Sequence, residues 1–564
     1  MEKRIGIGVE FFKEMVDKNY YYVDKTLFVK DLLDKGGKIN LFTRPRRFGK
    51  TLALSMIRTF FEQDTDYKGN VTDNSRYFEG MKIADAGESY KEHMGKYPVI
   101  SLSLKSAKQP DFEMAYQCMV QDIAYEYDRH RYVLNGDSLS DTEKKVFESL
   151  MNRKADRAQY ATSLKFLSEC LRKYHGKNVI ILIDEYDVPL ENSYFRGFYS
   201  EMTDFIRSLF ESALKTNGSL EFAVITGCLR ISKESIFTGL NNLEVISILN
   251  ADYAEYFGFT QLEVEQILNN YAMSNKFEEV KQWYNGYLFG KTEVYNPWSV
   301  INYVKAVVSD INAFPKSYWS NTSSNSIVCE LIERADMAVK KEIEGLIAGG
   351  TIVKPVHEDI TYEDVYKTQD NLWNFLFFTG YLKAEGQQFD DGTIYLTLRI
   401  PNEEIRYIYR NTIMEWFNEQ IKGADLKGFY KAVLSGNAEE MAEFITKQLS
   451  ASISYYDNAE KFYHGYLTGL FSAMEGYELQ SNKEHGDGRP DIVLNPFNPK
   501  AAAVIIEIKR ADRFTLMDKM CNEALAQIEE RQYAADLFEQ GYTKVLKYGI
   551  CFCRKSCEVK AGGM

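Results

Sequence analysis

The chain has 564 residues, 45% of them hydrophobic, 26% charged and 14% aromatic. That length exceeds the roughly 250–300 residues at which one core stops growing, so several domains are expected; 39 tyrosines and 35 phenylalanines favour packed cores over disorder. A net charge of −13 argues against indiscriminate polyanion binding but leaves room for a local basic groove such as Arg44, Arg46 and Arg47.

The opening Met1-Glu2-Lys3-Arg4-Ile5-Gly6-Ile7-Gly8-Val9-Glu10 has no apolar run of the kind a secretory signal needs. The longest fully apolar runs, 179–183 and 501–506, are too short to span a bilayer, so a cytoplasmic protein without a membrane partner is expected. Eight cysteines are scattered, and only Cys551, Cys553 and Cys557 cluster. No histidine lies nearby in sequence to complete a zinc site, so buried free thiols are expected.

Tyr20-Tyr21-Tyr22-Val23-Asp24-Lys25-Thr26 leads into a helix over 27–33, with Asp24 or Thr26 as its cap. Aromatic residues just ahead of a nucleotide strand often wall a base; simple packing explains them equally well. The apolar run ending in Phe42 reads as a buried strand, and Arg44-Pro45-Arg46-Arg47-Phe48-Gly49 as a short loop. Lys50 and Thr51 then open a stretch of helical period through Phe61. Strand, loop, Gly-Lys-Thr, helix is the order a phosphate-binding loop requires. N–H groups at the helix start cradle the anion, Lys50 reaches the β- and γ-phosphates, and Thr51 ligates Mg²⁺. The general pattern G-x-x-x-x-G-K-[ST] breaks once, where Arg44 stands at the first glycine. For Gly49-Lys50-Thr51 alone, a basic surface loop before an ordinary helix is the alternative.

Five strands are expected, at 39–43, 97–104, 179–184, 221–227 and 245–249, with helices at 114–127, 163–174 and 205–214. The continuous apolar run 179–183 suits a strand buried on both faces of a parallel sheet, and it ends in Asp184-Glu185. Such sheets place ligands at the carboxyl ends of their strands. Asp184 is therefore expected in the Mg²⁺ shell and Glu185 beside the attacking water; a strand ending in a solvated acidic turn is the alternative. One strand falls between those of Lys50 and Asp184, as in P-loop ATPases with a catalytic Glu, and Thr226 takes the polar sensor position on it. Arg230 and Arg47 are candidates for transition-state charge, or plain surface arginines.

Several strings now resemble the bacterial AAA-ATPase-like proteins: Thr43-Arg44-Pro45-Arg46-Arg47-Phe48-Gly49-Lys50-Thr51, Leu182-Ile183-Asp184-Glu185-Tyr186-Asp187 and Ile225-Thr226-Gly227-Cys228-Leu229-Arg230-Ile231. Trp283-Tyr284-Asn285-Gly286-Tyr287 and Val294-Tyr295-Asn296-Pro297-Trp298-Ser299 extend the resemblance over about the first 400 residues. That family reads R-P-R-R-F-G-K-[ST] in its phosphate loop, so Arg44 departs from the general motif but not from this one. The resemblance implies ATP as the nucleotide, with Arg46, Arg47, Phe48, Gly49, Lys50, Thr51, Asp184 and Thr226 as the set that binds it.

Residues 1–251 are thus expected to form an α/β P-loop domain, and 252–400 a mainly helical, winged-helix-like lid. Residues 401–450 read as a helical connector and 451–556 as a smaller α/β domain closing with a strand at 545–553. In that last part a helix at 462–472 and a strand at 477–481 precede Gly486-Asp487-Gly488-Arg489-Pro490-Asp491, and 502–509 is a core strand ending Glu507-Ile508-Lys509. Glu507 and Lys509 share one strand face, where burial is costly unless they pair or bind a metal. Asp491, Glu507 and the Ile508 carbonyl offer hard oxygen ligands for Mg²⁺ or Mn²⁺, with Lys509 beside them to orient water or stabilise charge. An edge-strand ion pair is the alternative for the Glu-x-Lys alone. The region resembles the PD-(D/E)XK nuclease superfamily, in Arg489-Pro490-Asp491, in the Glu-x-Lys strand and in Tyr463-His464-Gly465-Tyr466-Leu467-Thr468-Gly469-Leu470. That resemblance implies a restriction-endonuclease-like fold and nominates Glu460 and Gln527 as further site residues.

The first reading is an ATPase module controlling a metal-dependent nuclease that acts on DNA or RNA, with a homo-oligomer as a candidate assembly. A nucleotide-switched binding protein with an inactive nuclease fold is the second. A small-molecule kinase is the third, and it leaves Asp491, Glu507 and Lys509 unexplained.

Overall fold

Every side chain of β1 (Ile39–Thr43) and of β3 (Val179–Asp184) is buried, as strands covered on both faces must be. Between them in sequence comes β2 (Val99–Ser103), and after them β4 (Leu220–Gly227) and β5 (Leu243–Ile246). All five pair in parallel in the order β2-β3-β4-β1-β5, so the Thr226 strand lies between those that lead to Lys50 and Asp184. The computed structural model behind this description covers residues 3–229, 236–237, 240–319, 337–357, 368–411, 426–451, 460–472, 474–481 and 490–563. The chain divides into two units, residues 1–323 with 353–406, and residues 324–352 with 407–564.

Helices α1 (Leu27–Lys35), α2 (Lys50–Phe61), α3 (Phe112–Arg129), α4 (Ser163–His175) and α5 (Val188–Arg196) accompany this sheet. Local chemistry shifts three expected details. Asp24 does not cap α1; its Oδ1 accepts from Thr26 N at 2.9 Å and Thr26 Oγ1 at 2.6 Å, closing a turn ahead of the helix. The helix expected at 205–214 begins at Tyr199, ends at Phe210 and widens into a π-turn over Glu211–Lys215. The last strand stops at Ile246, because Asn250 Oδ1 accepts from Ser247 N at 2.8 Å and turns the chain.

The first unit continues with a hairpin, β6 (Tyr287–Phe289) and β7 (Thr292–Val294), and with α6 (Pro297–Ser309). Val264, Ile267, Tyr284, Tyr303 and Val304 form one core beneath them. Asn296 Oδ1 caps α6, accepting from Trp298 N at 3.0 Å and Ser299 N at 3.4 Å. A three-stranded sheet follows, from β8 (Ile352–Pro355), β9 (Lys383–Asp390) and β10 (Thr393–Arg399) in the order β8-β10-β9. Residues 372–378 of α7 (Gln369–Phe378) are all buried. Among the described residues no helix is long and apolar enough to cross a membrane.

The second unit holds a mixed sheet of five strands, β11 (Tyr477–Ser481), β12 (Ile492–Pro496), β13 (Ala503–Arg510), β14 (Val545–Cys553) and β15 (Ser556–Ala561), paired in that order. The β13–β14 pair alone is parallel. The expected closing strand, 545–553, is therefore not the edge. Residues 556–561 add β15, with Cys557 and Val559 facing in and polar residues alternating outward. Helices α8 (Glu460–Ser472) and α9 (Met517–Glu530) pack on this sheet; the Tyr463 ring stacks on Phe552 with centroids 4.1 Å apart. The stretch expected as a connector supplies two helices that also touch it: Tyr548 Oη donates to Val433 O at 2.5 Å and Cys557 N to Thr446 Oγ1 at 3.0 Å.

Candidate nucleotide and nuclease-like sites

The loop between β1 and α2 folds around two left-handed residues, Arg47 (φ 69°) and Gly49 (φ 84°). A Cβ on Gly49 would meet nothing within 4 Å, so glycine serves the backbone there and not the space. Arg44 is not among the left-handed residues and needs no glycine freedom. Its guanidinium is fully buried, donates from Nη1 to Thr43 O and Ile246 O at 2.9 Å each, and lies between the Phe257 and Phe289 rings. Burial pulls its pKa down to about 9, which leaves it charged at neutral pH. Arg44 therefore ties the loop to the β5 edge from beneath.

Lys50 Nζ, buried, donates to Arg44 O at 2.8 Å and Pro45 O at 2.9 Å, and lies 3.6 Å from Cys228 Sγ. Thr51 Oγ1 donates to Asp184 Oδ2 at 2.7 Å; Asp184 Oδ1 accepts from Thr226 Oγ1 and from Glu185 N, the latter at 3.1 Å. The parallel register brings this about: Phe42 sits beside Thr226, and Ile183 beside Ile225. Glu185 adopts φ 53°, an unusual conformation for a non-glycine residue. Its carboxyl pKa is raised, first by burial and then by Asp184.

These groups border a cavity of about 380 Å³ lined by Lys50, Thr51, Glu185, Tyr22, Trp298 and Asn302, among others. That volume falls in the range of small-molecule sites. Buried Asp184 and Thr226 stand behind the wall and hold Thr51 in place. Arg46 pairs with Glu191 at 2.5 Å, Arg47 stacks 4.3 Å over Trp298, and the Phe48 ring packs on Tyr287 and Phe289. Phe48 thus offers a bound anion its backbone only.

In the second unit, β12 pairs Ile492 with Ile506, which brings Asp491 beside Glu507. Asp491 Oδ2 accepts from Ile508 N at 2.8 Å. Lys509 Nζ donates to Glu507 Oε1 at 3.3 Å and to Gln527 Oε1 at 2.7 Å, and Gln527 Nε2 donates to Glu507 Oε1. Glu507 Oε2 is buried and has no hydrogen-bond partner among the described residues. Burial, with Asp491 adding like charge, raises Glu507 to about 7; burial also raises Asp491. An orphaned, desolvated carboxylate oxygen next to a second carboxylate suits a hard divalent cation. Among the described residues no cluster of three His, Cys, Asp or Glu exists, and this pair of carboxylates is what they offer a metal.

Lys50, Thr51, Asp184, Glu185 and Thr226 come together in one unit and Asp491, Glu507, Lys509 and Gln527 in the other; Arg230, residues 482–489 and the Glu460 side chain lie outside the described residues. Sequence reasoning missed the 6–10 segment, Lys105 and Asn302 as cavity lining, and the stack of Trp298 on Arg47. The alternation Gly6-Ile7-Gly8-Val9 was the one local hint of a close-approaching wall. Cys551, Cys553 and Cys557 are buried free thiols.

A doubly covered parallel sheet ending in a Lys-Thr loop and an Asp-Glu strand defines a P-loop nucleotide-binding domain; the mixed sheet with Asp491 and Glu507-x-Lys509 defines a restriction-endonuclease-like one. Residues 6–237 match the family model for a predicted AAA-ATPase, and residues 458–562 that of the PD-(D/E)XK nuclease superfamily. The chain therefore carries an AAA-ATPase-like domain followed by a PD-(D/E)XK nuclease superfamily domain. An uncharacterized protein in the vnfD 5′ region of Azotobacter chroococcum mcd 1 is 24% identical, over 99% of this chain and 98% of that one. The ORC2 protein of Aeropyrum pernix, solved as ADPNP–ADP complexes, is 12% identical with a TM-score of 0.24, over 69% of this chain and 92% of that one. A likeness at that score carries no argument about fold or ligand.

Proposed function

We propose that the first unit binds and hydrolyses ATP and that its nucleotide state governs a divalent-metal-dependent nuclease activity of the second on DNA or RNA. The observation that carries this reading is the buried Glu507 Oε2, unpartnered among the described residues, beside Asp491 and Lys509, in a chain that also assembles a phosphate loop. In this reading residues 1–251 would be the ATPase proper and 252–400 its lid; 401–450 would connect to a nuclease-like 451–556.

Lys50 is held by two loop carbonyls and lies beside Cys228 Sγ, neutral partners that a phosphate can replace. The N–H groups at the start of α2 add their partial charge. Thr51 and Asp184 would hold Mg²⁺ at the nucleotide, and Asp491 with Glu507 would hold Mg²⁺ or Mn²⁺ in the second unit. When bound, a divalent ion supplies charge stabilisation for phosphoryl oxygens. Glu185, with its raised pKa and its place on the cavity wall, would accept the proton of the attacking water. Arg46, Arg47 and Arg230 are the candidates for balancing phosphate charge. Lys509, kept in register by Gln527, would orient water or stabilise charge on the cleaved phosphodiester.

The test is cleavage of plasmid, linear single-stranded DNA and RNA with Mg²⁺ or Mn²⁺, with and without ATP, beside Lys50→Ala and Glu507→Ala. Cutting that is lost in Glu507→Ala and changed by ATP, but unchanged by ATP in Lys50→Ala, is the expected result. ATP hydrolysis without cutting under any condition would leave a nucleotide-switched binding protein.

A further inference from the structure

We propose that His464, on α8, is a positioning residue for the Asp491–Glu507 metal site; the inference rests on the nuclease reading above. Asp491 lies one residue ahead of Ile492, which pairs with Ser481 in the last described rung of the β11–β12 ladder. Contacts with described residues hold Asp491. Ile508 N donates to its Oδ2 at 2.8 Å, and His464 Nε2 lies 2.8 Å from its backbone carbonyl oxygen. A carbonyl can only accept, so His464 carries its proton on Nε2. Ser481 Oγ, 3.0 Å from the same nitrogen, closes the group from the last residue of β11.

The histidine is itself well fixed. Its neighbour Tyr463 is fully buried, stacks on Phe552 and donates to Arg554 O at 2.9 Å, and Thr468 Oγ1 donates to His464 O at 2.7 Å. Helix α8 thus presents the imidazole to the Asp491 carbonyl from a well-packed support. With Oδ2 and the main-chain carbonyl both engaged, Asp491 Oδ1 accepts no hydrogen bond among the described residues and is left for a ligand. Its partner in that role is Glu507 Oε2, also unengaged among the described residues. Groups that orient a metal ligand in this way typically change metal affinity by about 10–100-fold when removed.

The experiment is Mn²⁺ binding to the full-length protein without nucleotide, by titration calorimetry, for wild type, Asp491→Ala, His464→Ala and His464→Gln. Binding that Asp491→Ala abolishes identifies the site. His464→Ala is expected to weaken it by about 10–100-fold, and His464→Gln, whose amide Nε2 can donate to the same carbonyl, to restore most of it. Wild-type affinity in His464→Ala, or a loss that His464→Gln does not relieve, overturns the proposal while the metal site stands. Absence of any Asp491-dependent Mn²⁺ binding in wild type would instead remove the nuclease reading itself, and this inference with it.

Discussion

Arg44 breaks the general motif at a position whose backbone needs no glycine. The left-handed backbone falls at Arg47 and Gly49, and a buried guanidinium fills the space beneath the loop. Restoring the general motif with Arg44→Gly is therefore expected to harm the protein. It removes two hydrogen bonds to carbonyls and leaves a void between Phe257 and Phe289, at a cost of about 3 kcal/mol in urea unfolding of the first unit. Arg44→Met, which keeps the volume without the buried charge, should cost less. Equal destabilisation by both variants would mean that the hydrogen bonds, not the packing, matter. Lys50, Thr51, Asp184 and Glu185 were legible in the sequence because each sits beside its partner in a short string. Trp298 and Lys105 were not, because they reach the cavity from far along the chain.

At the scale of elements, close approaches decide the geometry. A Cβ on Gly549 of β14 would lie 2.3 Å from Cys521 O on α9, the helix that carries Gln527. Gly549→Ala should push α9 outward, lower the melting temperature and weaken cleavage, although it touches no site residue. Unchanged stability would show that α9 is freely adjustable. In the first unit, Glu404 is fully buried and accepts from Ser299 Oγ at 2.9 and 2.8 Å and from Trp319 N at 2.9 Å. It joins α6, whose start borders the nucleotide cavity, to the helix beginning at residue 403. Burial raises its pKa from 4.5 to about 7. The folded state therefore holds a proton that the unfolded chain has released between those values. Relative to Glu404→Gln, wild type should be most stable below about pH 4.5 and lose about 3 kcal/mol as pH rises to about 7, with no further change above. Melting curves of both proteins across that range check the sign; parallel curves would show that Glu404 titrates normally.

For the whole molecule, an AAA-ATPase-like domain and a PD-(D/E)XK nuclease superfamily domain on one chain make a linkage experiment informative. ATP at about 100 times its dissociation constant should stabilise the first unit by about 2.7 kcal/mol, and Lys50→Ala should abolish that gain. Differential scanning calorimetry reads it directly. A shift confined to one transition would mean that nucleotide binding is not felt by the second unit, and an ATP-dependent change in cutting would then need another route. The acidic net charge of −13 adds a constraint: any nucleic acid must be held locally, so cleavage should fall steeply with added salt only if a basic surface near Asp491 is used.

By itself the sequence determined the order of the five parallel strands' segments, the phosphate loop, the Asp184-Glu185 strand end and the Glu507-Ile508-Lys509 strand. Each depends on hydrophobic runs and on residues adjacent in the chain, which local pattern captures. Tertiary structure alone decided that Asp184 binds Thr51 and Thr226, that Arg44 supports the loop from beneath, that β15 and not β14 is the edge, and that His464 reaches Asp491. Those contacts join residues far apart in sequence, and they follow from strand register and helix packing, which no local periodicity encodes.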